Sequence, residues 1–116
     1  MIHIAGGRDV HSKTRMTGRD LLSEAEDPLS FSGMVMNRRY DPRVLFEKVM
    51  IRDQSEIQLI PARERMTIAG LIRQVKNLQY CSDVLIGDRL YPETRFHDVL
   101  VLDDLEVLLL PPMQGG

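Results

Sequence analysis

The sequence predicts an α+β protein built from two copies of one small unit, each with a mixed sheet and one helix. Two observations carry this. Shifting the chain by 50 places, without a gap, sets thirteen residues of 15–61 on identical residues of 65–111, where about three would coincide by chance from average composition. Within each copy, one helix-spaced apolar segment precedes two strand-sized apolar runs. At 116 residues there is room for one ordinary domain or two very small ones.

The matched residues run through the whole unit. Arg15-Met16-Thr17 falls on Arg65-Met66-Thr67, Leu21 on Leu71, Ser32 on Ser82, Arg39 on Arg89, Pro42 on Pro92 and Phe46 on Phe96. Val49, Asp53, Glu56, Leu59 and Pro61 fall on Val99, Asp103, Glu106, Leu109 and Pro111. Elsewhere apolar character is kept, as where Met34-Val35-Met36 meets Val84-Leu85-Ile86.

Each element has a local cause. Thr17 and Thr67 stand at helix N-cap positions, ahead of Leu21, Leu22 and Ala25 in the first copy and Leu71, Ile72 and Val75 in the second. Pro28 stops the first helix. The triplets 34–36 and 84–86 read as buried strands, each closed by a polar turn, Asn37-Arg38 or Gly87-Asp88. An irregular stretch anchored by Phe46 or Phe96 follows, then an acidic turn at Asp53 or Asp103. The final strands, Glu56 to Ile60 and Glu106 to Leu110, each end at a proline, which cannot extend a ladder. Only the first copy is preceded by a hairpin pattern, Met1 to Ala5, Gly6-Gly7, and Arg8 to Lys13.

Hairpin, helix, strand, irregular stretch, strand is the order of a β-grasp. The expected units are 1–62 and 63–116. The second lacks its hairpin, so its open sheet edge is expected to be completed by strand 57–61, shared with the first unit, or by strand addition from another chain, including a second copy.

Composition limits the function. The fifteen basic and seventeen acidic side chains are interspersed, with a net charge of −2, which gives no basic face for nucleic acid. No stretch approaches a membrane span, and the first residues reach charge too soon for a signal peptide. One cysteine, Cys81, closes no intrachain disulfide and suits a reducing compartment. The expected location is the cytoplasm, with no membrane partner.

Candidate reactive groups are sparse. His3, His11 and His97 are scattered without metal-ligand or triad spacing, so neither a metal site nor intrinsic catalysis is expected. Gly7 to Thr14 approximates a phosphate loop but has Ser12 in place of its second glycine, and a polar hairpin strand explains it better. Cys81 reads as a partly buried thiol rather than a thioester acceptor. Lys13, Lys48 and Lys76 are ordinary surface lysines, and Arg38, Arg39 and Arg89 are surface arginines open to acidic partners.

The carboxyl end is the specific signal. Glu106-Val107-Leu108-Leu109-Leu110-Pro111-Pro112-Met113-Gln114-Gly115-Gly116 is a strand, a stiff Pro-Pro exit and two glycines. Glycines lack Cβ atoms, thread narrow channels and take backbone angles closed to other residues. This ending, with the element order before it, resembles the ubiquitin-like β-grasp proteins. In its tail it looks most like the sulfur carriers of molybdopterin and thiamine synthesis and their prokaryotic protein-modifier relatives.

The repeat, with the diglycine on the second copy alone, resembles the two-domain modifiers: the interferon-induced one and those of bacterial antiphage operons. The resemblance implies a modifier, not an enzyme and without a bound cofactor. Gly116 would be activated as an acyl-adenylate and joined to lysines of target proteins in antiviral defence, with Gly115 giving access and Pro111, Pro112, Met113 and Gln114 positioning the tail. An activating enzyme, a conjugating enzyme and an isopeptidase would be its partners. The first copy, which ends Leu59-Ile60-Pro61-Ala62-Arg63 without glycines, would be a passenger or recognition domain. The alternative is a sulfur carrier with a thiocarboxylate at Gly116, and a third reading is a plain interaction module.

Overall fold

The computed structural model describes residues 2–4, 16–23, 30–52, 56–62, 65–76, 78 and 81–111. In the first half these residues form strands β1 (His3–Ile4) and β2 (Met16–Thr17), helix α1 (Gly18–Ser23), strands β3 (Phe31–Met36) and β4 (Arg39–Pro42), the helical turn α2 (Arg43–Phe46), and strands β5 (Met50–Ile51) and β6 (Glu56–Pro61). The second half adds α3 (Ile68–Gln74), β7 (Asp83–Ile86), β8 (Arg89–Pro92), a 3₁₀ turn over Glu93–Arg95, and β9 (Val107–Leu110). The fold is α+β, as expected, with a mixed sheet. The second hairpin strand expected over 8–13 and the acidic turn at Asp53 lie outside the described residues.

The helices start where the threonines predict. The Thr17 hydroxyl accepts from the Asp20 backbone N–H at 3.3 Å while the Asp20 carboxylate accepts from the Thr17 N–H at 2.9 Å, a reciprocal cap. Thr67 repeats half of it, accepting from the Gly70 N–H at 3.1 Å.

Seven strands form one sheet in the order β1-β6-β3-β4-β9-β7-β8, and β2 pairs with β5 in a separate ribbon. β1 runs parallel to β6, and the other pairs in the sheet are antiparallel. The 50-place shift holds in the pairing. Met34 lies opposite Asp41 and Leu59, and Val84 opposite Tyr91 and Leu109. Thr17 pairs with Met50, and Thr67 bridges Leu100. The Gly18 N–H donates to Val49 O, and the Ile68 N–H to Val99 O, each at 3.0 Å.

The stretches expected to be irregular contain β4 with α2, and β8 with the 3₁₀ turn. Pro42 and Pro92 end these strands and stand directly before the helical turns, where a missing N–H costs nothing. Phe46 and Phe96 close those turns and are both buried.

A second correction concerns the edge of the second half. β6 takes its partners from β1 and β3, and the free side of β9 is filled by β4, with Arg39 opposite Leu108 and Tyr40 opposite Val107. The completing strand therefore comes from within the chain, but it is 39–42 rather than 57–61.

Side chains alternate across a strand, and the first-half strands of the sheet are covered on both faces. One carries Met34, Ile57 and the partly buried Met36 and Leu59, and packs with Ile2, Met16, Leu21, Leu22, Phe46 and Ile51. The opposite face carries Val35, Tyr40 and Ile60 from the first half, and these belong to the same cluster as Ile68, Leu71, Val84, Ile86, Phe96, Val107 and Leu109 from the second. Gln58 ties the halves again: its Nε2 donates to Gln74 O, and its Oε1 accepts from the Lys76 N–H at 2.8 Å. The first half is therefore a wall of the second half's core.

Candidate functional site

Leu110 ends β9, and the chain leaves the sheet at the exposed Pro111. Pro112, Met113, Gln114, Gly115 and Gly116 lie outside the described residues. What the structure describes is the root of this segment, and that root is held on two sides.

On the β7 side, the Ser82 N–H donates to Leu110 O at 3.1 Å. The Ser82 hydroxyl lies 3.2 Å from Pro111 O and 3.1 Å from an Asp83 carboxylate oxygen, and its single proton serves one or the other. Ser32 occupies the same place in the first half, 3.3 Å from Ile60 O and 3.5 Å from Pro61 O, and its hydroxyl also meets the Tyr40 hydroxyl at 3.0 Å.

On the other side β4 parts from β9 after Leu108, and Arg38 takes over. Its backbone oxygen accepts from the Leu109 N–H at 2.8 Å, and its Nε–H donates to Leu109 O at 2.7 Å. Asn37 and Arg38 turn the β3–β4 hairpin with φ of 53° and 62°, the left-handed pair of a two-residue hairpin turn. Among the described residues of the second half only Gly87 has a positive φ, at 60°. Arg38 is therefore a hairpin-turn residue that reaches across to the last strand. No pattern within the sequence points to this bond, because its partners are separated by 71 positions.

Cys81 is buried and free, with its thiol 3.1 Å from Asp83 O. Burial pushes that thiol up from its ordinary value, against the pull of the Arg38 charge and of backbone groups of Leu110 and Asp83. A protonated buried thiol is a poor nucleophile. Asp41 is buried beside the β4–β9 junction, and burial raises its carboxyl although Arg39 Nε lies 3.0 Å away. Among the described residues no group of three or more His, Cys, Asp and Glu side chains could hold a metal ion.

Beside the root, Leu90, Leu85 and Leu108 stand in one cross-strand row. Their neighbours Val84, Ile86, Val107 and Leu109 point to the opposite, buried face, while Leu90 is 59% exposed and Leu85 and Leu108 are partly so. The lysines divide likewise, Lys48 and Lys76 being described and Lys13 not. No helix among the described residues is long and apolar enough to cross a membrane. Compared with family models, with curated proteins and with solved structures, the chain finds no match.

Proposed function

We propose that the chain is a ubiquitin-like protein modifier, conjugated to lysines of target proteins through the carboxyl group of Gly116. The observation that carries this reading is Gly115-Gly116 placed five residues beyond a sheet strand whose root is fixed on both sides. The strand order supports it. β1 parallel to β6, then β3, then β4, is the β-grasp order, and β9-β7-β8 repeats the β6-β3-β4 part. In this reading the two halves are two grasp units, the second borrowing its missing wall from the first.

The chemistry needs an activating enzyme. The Gly116 carboxylate attacks the α-phosphorus of ATP and releases pyrophosphate; an enzyme thiolate displaces AMP from the acyl-adenylate; a target lysine amine displaces the thiolate and forms the amide. The chain itself supplies only the acyl group and the surfaces by which enzymes recognise it.

The test is mass spectrometry of the amino-terminally tagged protein recovered from cells of its source. Branched peptides in which a target lysine carries Gly116 are expected for the wild type and none after deletion of Gly115 and Gly116. The deletion should change stability by no more than a few tenths of a kcal/mol, because the pair stands beyond the last strand. Exchange of one carboxylate oxygen for sulfur, without branched peptides, would move the protein to the sulfur carriers. Absence of both modifications would reject both readings.

A further inference from the structure

We propose that Arg38 and Ser82 form a clamp on the root of the carboxyl-terminal segment, through which the first half of the chain sets the direction in which that segment leaves. The proposal rests on the modifier reading, since it assigns these side chains a positioning role in delivering Gly116.

Three observations carry it. First, β4 pairs with β9 only as far as Leu108. Beyond that point an edge carbonyl would face no strand, and the Arg38 Nε–H meets the Leu109 carbonyl instead, at 2.7 Å in a partly buried setting. A hydrogen bond from a charged donor is about twice as strong as a neutral one. Second, Arg38 holds φ of 62°, a left-handed conformation that disfavours a residue with a Cβ. The equivalent position in the second half is Asp88, which has no N–H donor in its side chain and does not share the positive φ. Third, Ser82 meets the next two carbonyls from the opposite side, at Leu110 and Pro111. The carbonyls of Leu109 and Leu110 are thus held, and that of Pro111 lies within reach of the Ser82 hydroxyl, just before the described chain ends.

A carboxylate delivered into another protein's active site depends on where its stalk begins. A misplacement of about 1 Å at a distance from the chemistry can cost roughly a hundredfold in rate. Releasing one arm of the clamp should therefore reduce conjugation more than it reduces stability.

The variant that isolates the arginine arm is Arg38→Gly. Glycine adopts φ of 62° without strain and keeps the backbone oxygen that accepts from Leu109, so the loss is confined to the side chain that carries the guanidinium. Wild type, R38G, R38K, S82A and the Gly115–Gly116 deletion are expressed at equal levels in source cells, and conjugates are counted per folded protein. R38G is expected to retain its melting temperature within a few degrees and to lose conjugates about tenfold. R38K, which keeps a cationic donor, is expected to recover most of them. Amide exchange at Ser82, whose N–H is held by Leu110 O, should quicken in R38G.

Wild-type conjugation by folded R38G, in cells where the diglycine deletion abolishes it, overturns the proposal. Should R38G not fold, S82A decides: a loss supports the clamp, and full conjugation rejects it. If the wild type forms no conjugates, the modifier reading fails on its own account, and unchanged Ser82 exchange in R38G then rejects the clamp separately.

Discussion

At the scale of single residues, the β4–β9 junction carries the most telling electrostatics. Asp41 has 4% of its surface exposed, accepts from Arg39 Nε at 3.0 Å, and has Glu106 near enough to add its negative charge. Burial is the largest influence and raises the Asp41 carboxyl above its ordinary 3.8; Glu106 pushes the same way and Arg39 opposes both. An acid with a raised value in the folded state binds more protons there than in the unfolded chain. Stability therefore falls as pH rises from 3.8 through the folded value, and is flat above it as far as Asp41 is concerned. Asp41→Asn removes this dependence. Denaturant titrations at pH 7 and at pH 4.5 should show the wild type gaining on D41N at the lower pH; a wild type that loses ground to D41N there would contradict the assignment. Gly33, opposite Pro42, belongs to the same locality. A Cβ on it would come within 2.6 Å of the Tyr40 ring, so the smallest residue is required where the hairpin packs on its own tyrosine.

At the scale of elements, β6 shows how one strand serves two cores. Ile57 is buried in the cluster that includes α1, and Ile60, three residues on and therefore on the opposite face, is buried in the cluster that includes α3. Ile57→Ala and Ile60→Ala should each cost about 2–5 kcal/mol. Each should also shift a single unfolding transition seen by amide signals from both halves, because the strand they thin is common to both. Separate transitions for residues of α1 and α3 in either variant would show that the cores unfold independently.

The repeat was legible in sequence because the shift preserves side-chain type at the positions that set register, Thr17 and Thr67 at the caps, Ser32 and Ser82 beside the final strands. The strands β4 and β8 were not, since Arg39-Tyr40-Asp41-Pro42 and Arg89-Leu90-Tyr91-Pro92 mix charge, aromatic and proline in a run of four. The double duty of the first-half sheet did leave a trace. Met34-Val35-Met36 is apolar on both faces because both are covered. The matching Val84-Leu85-Ile86 is buried only through Val84 and Ile86. Apolar patterning alone cannot distinguish those two situations, and only the pairing of β4 with β9 does.

At the scale of the whole molecule, the β4–β9 pairing and the shared core predict that the chain, rather than either copy, is the unit of folding. The second copy on its own, 63–116, would keep α3 and three strands but lose β4 from the side of β9 and lose Val35, Tyr40 and Ile60 from its core. Its remaining 54 residues are close to the size at which a single hydrophobic core stops sufficing without help. Fragment 63–116 is accordingly expected to lack a dispersed amide spectrum and a cooperative melting transition. Fragment 1–62 fares differently: it retains the cluster of Ile2, Leu21, Met34, Phe46 and Ile57 on one face of β1-β6-β3-β4, and exposes Val35, Tyr40 and Ile60 on the other. An exposed apolar strip beside the unpaired edge of β4 is a ready template for the missing half. Mixing the two fragments should then restore dispersed signals for residues 68–110, and the amide signal of Tyr40 in fragment 1–62 should shift on association. A fragment 63–116 that folds alone, with the stability it has in the full chain, would show that the second copy needs nothing from the first to fold, and the structural role of β4 as its missing wall would have to be given up.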